Sequence, residues 1–165
     1  MKDTIDALEL LQQQHQEVED LIGQIEKAKD AGKKSALFMK LADNIAAHST
    51  IEEKIFYPAV NADKTRELLV ESVEEHLSVK RVLADMLALD VEDEHFDAKL
   101  SVLKEQIRHH AHDEEEDELF PKVRKLMSKD ELAALGNEMM AMFEQLIERS
   151  PRNNVPAETA APAPI

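Results

Sequence analysis

The chain has no cysteine and no tryptophan, only 3 glycines and 6 prolines, and an aromatic content of 4%. Without cysteine, disulfides, thiolate zinc sites and iron–sulfur clusters are excluded. The scarcity of glycine, proline and aromatics removes the turn and strand signals of a β architecture. No segment approaches the ~20 uninterrupted apolar residues that a membrane-spanning helix needs. The opening residues, Met1 to Leu8, lack the apolar run of a secretory signal, so the expected compartment is the cytoplasm. Basic residues are also in short supply. The 20 Lys and Arg against 35 Asp and Glu leave a net charge of -15, which argues against nucleic acid or an anionic membrane as partner.

What remains is a helical vocabulary. Charged residues make up 33% of the 165, and Leu, Ala, Glu, Lys and Met dominate, an all-α composition on a chain sized for one domain. Apolar residues recur at i, i+3/i+4 in five stretches. Leu8, Leu11, His15, Val18, Ile22 and Ile25 form the first stripe, which the run around Gly32 ends as a left-handed cap. Ser35 is the expected cap of a second stripe, Phe38, Leu41, Ile45, His48, Glu52 and Ile55, which Pro58 closes or kinks. Asp63 is the expected cap of the third, Leu69, Val73, His76, Val79, Leu83 and Leu87. The fourth runs through Phe96, Leu100, Leu103, Ile107 and His110. It then slips by one residue to reach Glu115, Leu119 and Val123, which a local π-bulge would absorb. Ser128 and Glu131 make a capping box for a fifth helix. Short connections predict an up-down-up-down four-helix bundle with an additional C-terminal helix over residues 1–149. The Pro- and Ala-rich residues 150–165 are expected to be a disordered tail.

Two stretches of the chain rhyme. His48-Ser-Thr-Ile-Glu52-Glu53 runs into Phe56-Tyr57-Pro58, and His110-Ala-His112-Asp-Glu114-Glu115-Glu116 runs into Leu119-Phe120-Pro121. Each sets a histidine about one turn before a carboxylate, so both aim at one point from a shared helix face. His15 and His76 sit on the core stripes of two further helices. Burying four imidazoles and two carboxylates without a cation would cost several kcal/mol, and a metal pair removes that cost. Imidazole plus carboxylate without thiolate suits iron, manganese or zinc, and a glutamate from each of two helices bridges two ions. Glu114, four residues after His110, is the rival to Glu115, and His112 is a further candidate ligand. Glu53 and Glu116 read mostly as helix-surface charge, though either could complete a ligand set, and the methionines read as core filler. Tyr57 could reach the cluster as a hydrogen-bond donor, with packing the favoured role.

These residues resemble the hemerythrin-like, or HHE cation-binding, proteins over roughly residues 5–126. The likeness rests on His15 in Gln-His-Gln-Glu-Val, His48 with Glu52 and Glu53 before Phe-Tyr-Pro, Glu75-His76, and His110 with Glu115 before Leu-Phe-Pro. It implies two iron ions with an oxo or hydroxo bridge, His15 and His48 on one, His76 and His110 on the other, and Glu52 and Glu115 bridging. It further implies binding or reduction of dioxygen, nitric oxide or peroxide. One departure stands out. The oxygen carriers have a histidine one turn after the third-helix ligand, where this chain has Lys80, which leaves one iron an imidazole short unless a neighbouring carboxylate or His112 substitutes. Peroxide decomposition, iron repair and a metal-stapled sensor module are the alternative functions. The iron-repair relatives carry a cysteine-bearing domain, which a chain without cysteine lacks.

Overall fold

The computed structural model describes residues 4–165, and among them there are helices and no strands. Helices α1 (Ala7–Lys27), α2 (Ala31–Ile51) and α4 (Arg66–Leu87) supply three arms of an up-down-up-down bundle. A π-helical segment, Glu52–Phe56, carries α2 on into the short α3, Tyr57–Val60. The fourth arm is α5 (Glu94–Arg108), a second π segment (His109–Leu119) and α6 (Phe120–Leu126) in one continuous run. The additional helix is α7, Lys129–Ile147, opened by the Ser128–Glu131 capping box.

The slipped phase of the fourth stripe is therefore a full π segment of 11 residues. The helix ends depart from expectation in three places. Helix α1 stops at Lys27 with Ala28 extended, and α2 starts at Ala31, capped by Asp30, which accepts from the Lys33 amide. Gly32 and Ser35 thus lie inside α2 rather than closing one helix and opening the next. An aspartate with a free helix N-terminus three residues on captures that amide first. Thr65, not Asp63, precedes α4, its hydroxyl accepting from the Ala62 amide and donating to the Val60 carbonyl. Pro58 does not close the second arm at once, because the helical run continues through α3 to Val60.

The apolar interior is split in two. One cluster at one end gathers Leu8, Leu11, Ile51, Phe56, Leu69 and Phe120. The other gathers Ile22, Ile25, Phe38, Leu41, Leu83 and Phe96. Helix α7 caps the first with Leu132, Leu135 and Met139. Its Gly136 lies so close to α1 that a Cβ there would meet the Ile5 carbonyl oxygen at 2.6 Å.

The tail is not disordered. Ser150 takes a left-handed conformation (φ 50°), and Pro151–Glu158 then form a 3-10 helix against the bundle. Val155 is buried in the second cluster, and the Arg152 guanidinium meets Asp43 at 2.7 Å. Arg81 donates to the Thr159 carbonyl, and Ala163 and Ile165 reach the first cluster. Polar composition suggested disorder, but a few well-placed apolar and charged groups suffice when a finished groove receives them. Val155→Ala should cost about 2 kcal/mol, the worth of two buried methyl groups. Urea unfolding that left the midpoint unchanged would show the strap to be idle.

Candidate metal centre

Between the two apolar clusters lies a buried polar layer, and it holds the six residues singled out in the sequence. His15, His48, Glu52 and Glu115 bring one ligand atom each to within 4.8 Å of one another, and so do Glu52, His76 and His110. Glu52 belongs to both groups. Its Oε1 lies 3.0 Å from His48 Nε2 and its Oε2 2.9 Å from His76 Nε2. Glu115 also spans the layer, with Oε1 3.2 Å from both His15 Nε2 and His110 Nε2. Neither glutamate is exposed at all.

Every one of the four imidazoles is held from behind. His15 Nδ1 donates to Glu116 at 2.8 Å, His48 Nδ1 to Gln14 at 2.7 Å, His76 Nδ1 to Glu53 at 2.9 Å and His110 Nδ1 to Glu75 at 3.4 Å. An acceptor behind Nδ1 fixes the proton there and turns the Nε2 lone pair to the centre, as metal-ligating histidines require. The supports are exchanged between helices. Gln14 precedes His15 but braces His48, and Glu75 precedes His76 but braces His110. Glu53 and Glu116, each following a central glutamate, brace His76 and His15. The contacts thus repeat in two halves, with His15, His48 and Glu52 in one and His76, His110 and Glu115 in the other.

The halves differ at one ring. Phe120 stacks on His15, with centroids 6.3 Å apart and planes at 10°. Its counterpart Tyr57 lies beside His76, centroids 5.5 Å apart. The Tyr57 hydroxyl is 3.2 Å from Glu52 Oε2, 3.3 Å from Glu115 Oε2 and 3.2 Å from His76 Nε2. Tyr57 therefore reaches the centre as a hydrogen-bond donor, the second of its two sequence readings, beyond packing alone. Burial, then the two carboxylates, push its hydroxyl well above the usual phenol range, so it stays a proton donor.

Does a cation fit? His15 Nε2, Glu52 Oε1 and Glu115 Oε1 are fully buried and make no aligned hydrogen bond. Such orphans are costly unless something else satisfies them. Their partners lie near 3 Å, the spacing of adjacent ligands that each sit about 2.1 Å from one ion. The protonation pattern agrees. Burial lowers the pKa of His15, but the adjacent carboxylates of Glu115 and Glu116 outweigh it and raise the value to about 9. Burial likewise opposes the carboxylates that raise His76 and His110. Glu52 and Glu115 are lowered, despite burial, by the imidazoles around them. The layer wants positive charge, and the residues fit a metal.

Other candidates fall outside this cluster. His112 is 38% exposed and hydrogen-bonds Glu116 at 2.9 Å and also Glu19, so it steadies a support. Glu114 faces His109 instead of the centre, which leaves Glu115 as the second spanning glutamate. Lys80 is buried, and its ammonium meets the Glu53 oxygens at 2.9 and 3.1 Å and Glu158 at 3.5 Å. It braces a brace, because Glu53 in turn accepts from His76 Nδ1. Sequence reasoning missed Gln14, Glu53, Glu75 and Glu116. Their one signal was adjacency to a central residue, and adjacent positions on a helix point to a neighbouring arm.

A layer of bracketed histidines and shared glutamates inside a four-helix bundle defines a cation-binding helical domain. Residues 6–123 match the hemerythrin HHE cation binding domain, and the chain belongs to that family. The crystal structure of a hemerythrin HHE cation-binding-domain-containing protein from Mycobacterium kansasii matches with a TM-score of 0.78 and 26% identity. It covers 88% of this chain and 89% of that one. A DNA nickase from Nostoc sp. is 22% identical over 148 residues, 90% of this chain and 42% of the nickase, so the chain spans less than half of that relative. Among the described residues no helix is long and apolar enough to cross a membrane.

Proposed function

We propose that the chain is a non-haem diiron protein that binds dioxygen or a related small oxidant, nitric oxide or peroxide, at the His/Glu centre. The observation that carries this reading is the bracing of all four Nε2 atoms toward two overlapping ligand groups that share Glu52. His15 and His48 would hold one iron, His76 and His110 the other, and Glu52 and Glu115 would tie the two together. A ferrous pair, when bound, supplies two electrons to a small oxidant. The chain's own contribution is to orient, exclude water and hold protons. The apolar clusters on either side keep bulk water out. A cavity of about 30 Å³ lined by Val18, Ile45, Val79, Ile107 and Ala111 beside the four histidines has room for one diatomic-sized molecule. Tyr57 holds a proton at its hydroxyl on the His76 side, while Phe120 offers none on the His15 side.

Loading with ferrous iron under argon should give about two irons per chain, as two spanning carboxylates imply. Stopped-flow mixing with dioxygen, nitric oxide and peroxide should then change the iron spectrum. A single metal per chain, or zinc alone with no iron taken up, would sink the reading.

The Tyr57 hydroxyl favours one alternative, decomposition of peroxide, because a positioned proton donor assists cleavage of an oxygen–oxygen bond. Tyr57→Phe makes the two halves alike at this ring. It should leave iron content and melting temperature nearly unchanged. Oxygen evolution from peroxide should fall about 100-fold, the lower end of a general acid's contribution. If evolution persists at the original rate, the hydroxyl is no proton donor.

A further inference from the structure

Outside the central layer, a third group of ligand-type side chains converges. Glu75, His109 and Glu114 each bring one ligand atom to within 4.8 Å of the others. His109 Nδ1 donates to Asp113 at 3.1 Å, so its Nε2 lone pair faces the other way. That nitrogen lies 3.4 Å from Glu114 Oε1 and 3.6 Å from Glu75 Oε2. The arrangement repeats, on the outside of the bundle, the acceptor-imidazole-centre order of the four inner histidines. Here two carboxylates and one imidazole nitrogen converge on a common place.

Glu114 is the informative residue. It is only 7% exposed, and its Oε2 is enclosed without any hydrogen-bond partner. The repeat between the halves shows what this position needs for the fold. Counting back one residue from the central glutamate, Glu114 corresponds to Ile51, which is fully buried. His109 corresponds to Ala47 and Glu75 to Gln14. The first half thus braces its histidine with an amide and fills the remaining space with apolar groups. Nothing in the scaffold requires a carboxylate at position 114 or an imidazole at position 109. A buried carboxylate oxygen without a hydrogen-bond partner, Oε2 here, is destabilising unless a cation satisfies it.

We infer that Glu75, His109 and Glu114 form a second, exchangeable divalent-cation site beside the central one. Two oxygens and one imidazole nitrogen suit manganese, ferrous iron or zinc. His109 is 57% exposed, which gives an ion a path from solvent and leaves its remaining positions to water. Glu75 connects the two centres, since its Oε1 accepts from His110 Nδ1 while its Oε2 faces His109.

The test is a count of bound Mn²⁺ on the full chain by equilibrium dialysis with elemental analysis, in wild type, Glu114→Ile and His109→Ala. Glu114→Ile copies the residue that the first half already accommodates, and His109→Ala alters an exposed side chain. Wild type should hold one more Mn²⁺ per chain than either variant. In each variant the outer affinity should drop at least about tenfold, the loss that even an outer-sphere partner causes. Without added metal, Glu114→Ile should also melt above wild type, because an orphaned carboxylate is gone. Equal Mn²⁺ counts in wild type and His109→Ala would overturn the site. Because the difference between wild type and variant is read, the outcome does not depend on which metal the central layer takes.

Discussion

Stripping the metal from the loaded protein should lower its melting temperature by about 10–15 °C. An ion present at about a thousand times its dissociation constant stabilises a fold by about 4 kcal/mol, and a domain of this size moves about 2–4 °C per kcal/mol. The gain is large here because the apo layer is costly. Three of its atoms, His15 Nε2, Glu52 Oε1 and Glu115 Oε1, are buried without an aligned partner. Glu52→Ala should abolish the metal effect altogether. Glu52 belongs to both ligand groups, so its loss opens both, whereas loss of any single histidine opens one. Calorimetry on loaded and chelated wild type and Glu52→Ala gives the answer. Apo and loaded wild type melting together would mean that no cation is held in this layer.

Above neutrality the apo-protein should lose stability as pH rises while the loaded protein stays nearly level. In the apo chain, His15 has its pKa raised from 6.5 to about 9 by Glu115 and Glu116. A raised value contributes stability that is complete below pH 6.5 and is lost as pH climbs through about 9, a loss of about 3 kcal/mol from this residue alone. His76 and His110 are raised too and act in the same direction. Glu52 and Glu115 are lowered from 4.5, so their contribution is present above that value and lost as pH falls below it. The apo-protein should therefore be most stable between those limits, near pH 5–6. A metal needs the imidazoles deprotonated, so affinity rises over the same range in which the apo fold weakens. Melting curves at pH 6.5 and 9 should show the gap between the two forms widening. A gap that narrows would place the protons on other groups.

Much of this was legible in the chain, for reasons that can be named. The six central residues lie on apolar stripes where helical period alone decides which way a side chain points. His110 and Glu115, five apart where His48 and Glu52 are four apart, announced a π segment, and one of 11 residues is there. What depended on a neighbouring arm stayed hidden. Glu53 and Glu116 read as surface charge because each braces a histidine on a different helix. For Tyr57 the choice between packing and hydrogen-bond donor stayed open, because its hydroxyl meets partners from three arms. Glu114 and Glu115 were separable only once the π segment fixed which carboxylate turns inward. Caps were missed where two candidates competed, as with Asp30 and Ser35. The tail was missed because composition carries no information about the groove that Val155 and Arg152 fill.

The exchange of supports between helices has a consequence for how the protein comes into being. A histidine in an unfolded chain shifts freely between its two tautomers, and only the bracing residue of another arm fixes the one that exposes Nε2 to the interior. Gln14 can do this for His48 only after the first two arms have met, and Glu75 for His110 only after the last two have. The ligand set therefore does not exist in any single arm or nascent segment. A chain still emerging or half collapsed presents scattered imidazoles with no preference for one ion over another. A geometry that could favour one ion over another therefore belongs to the closed bundle and to no part of it.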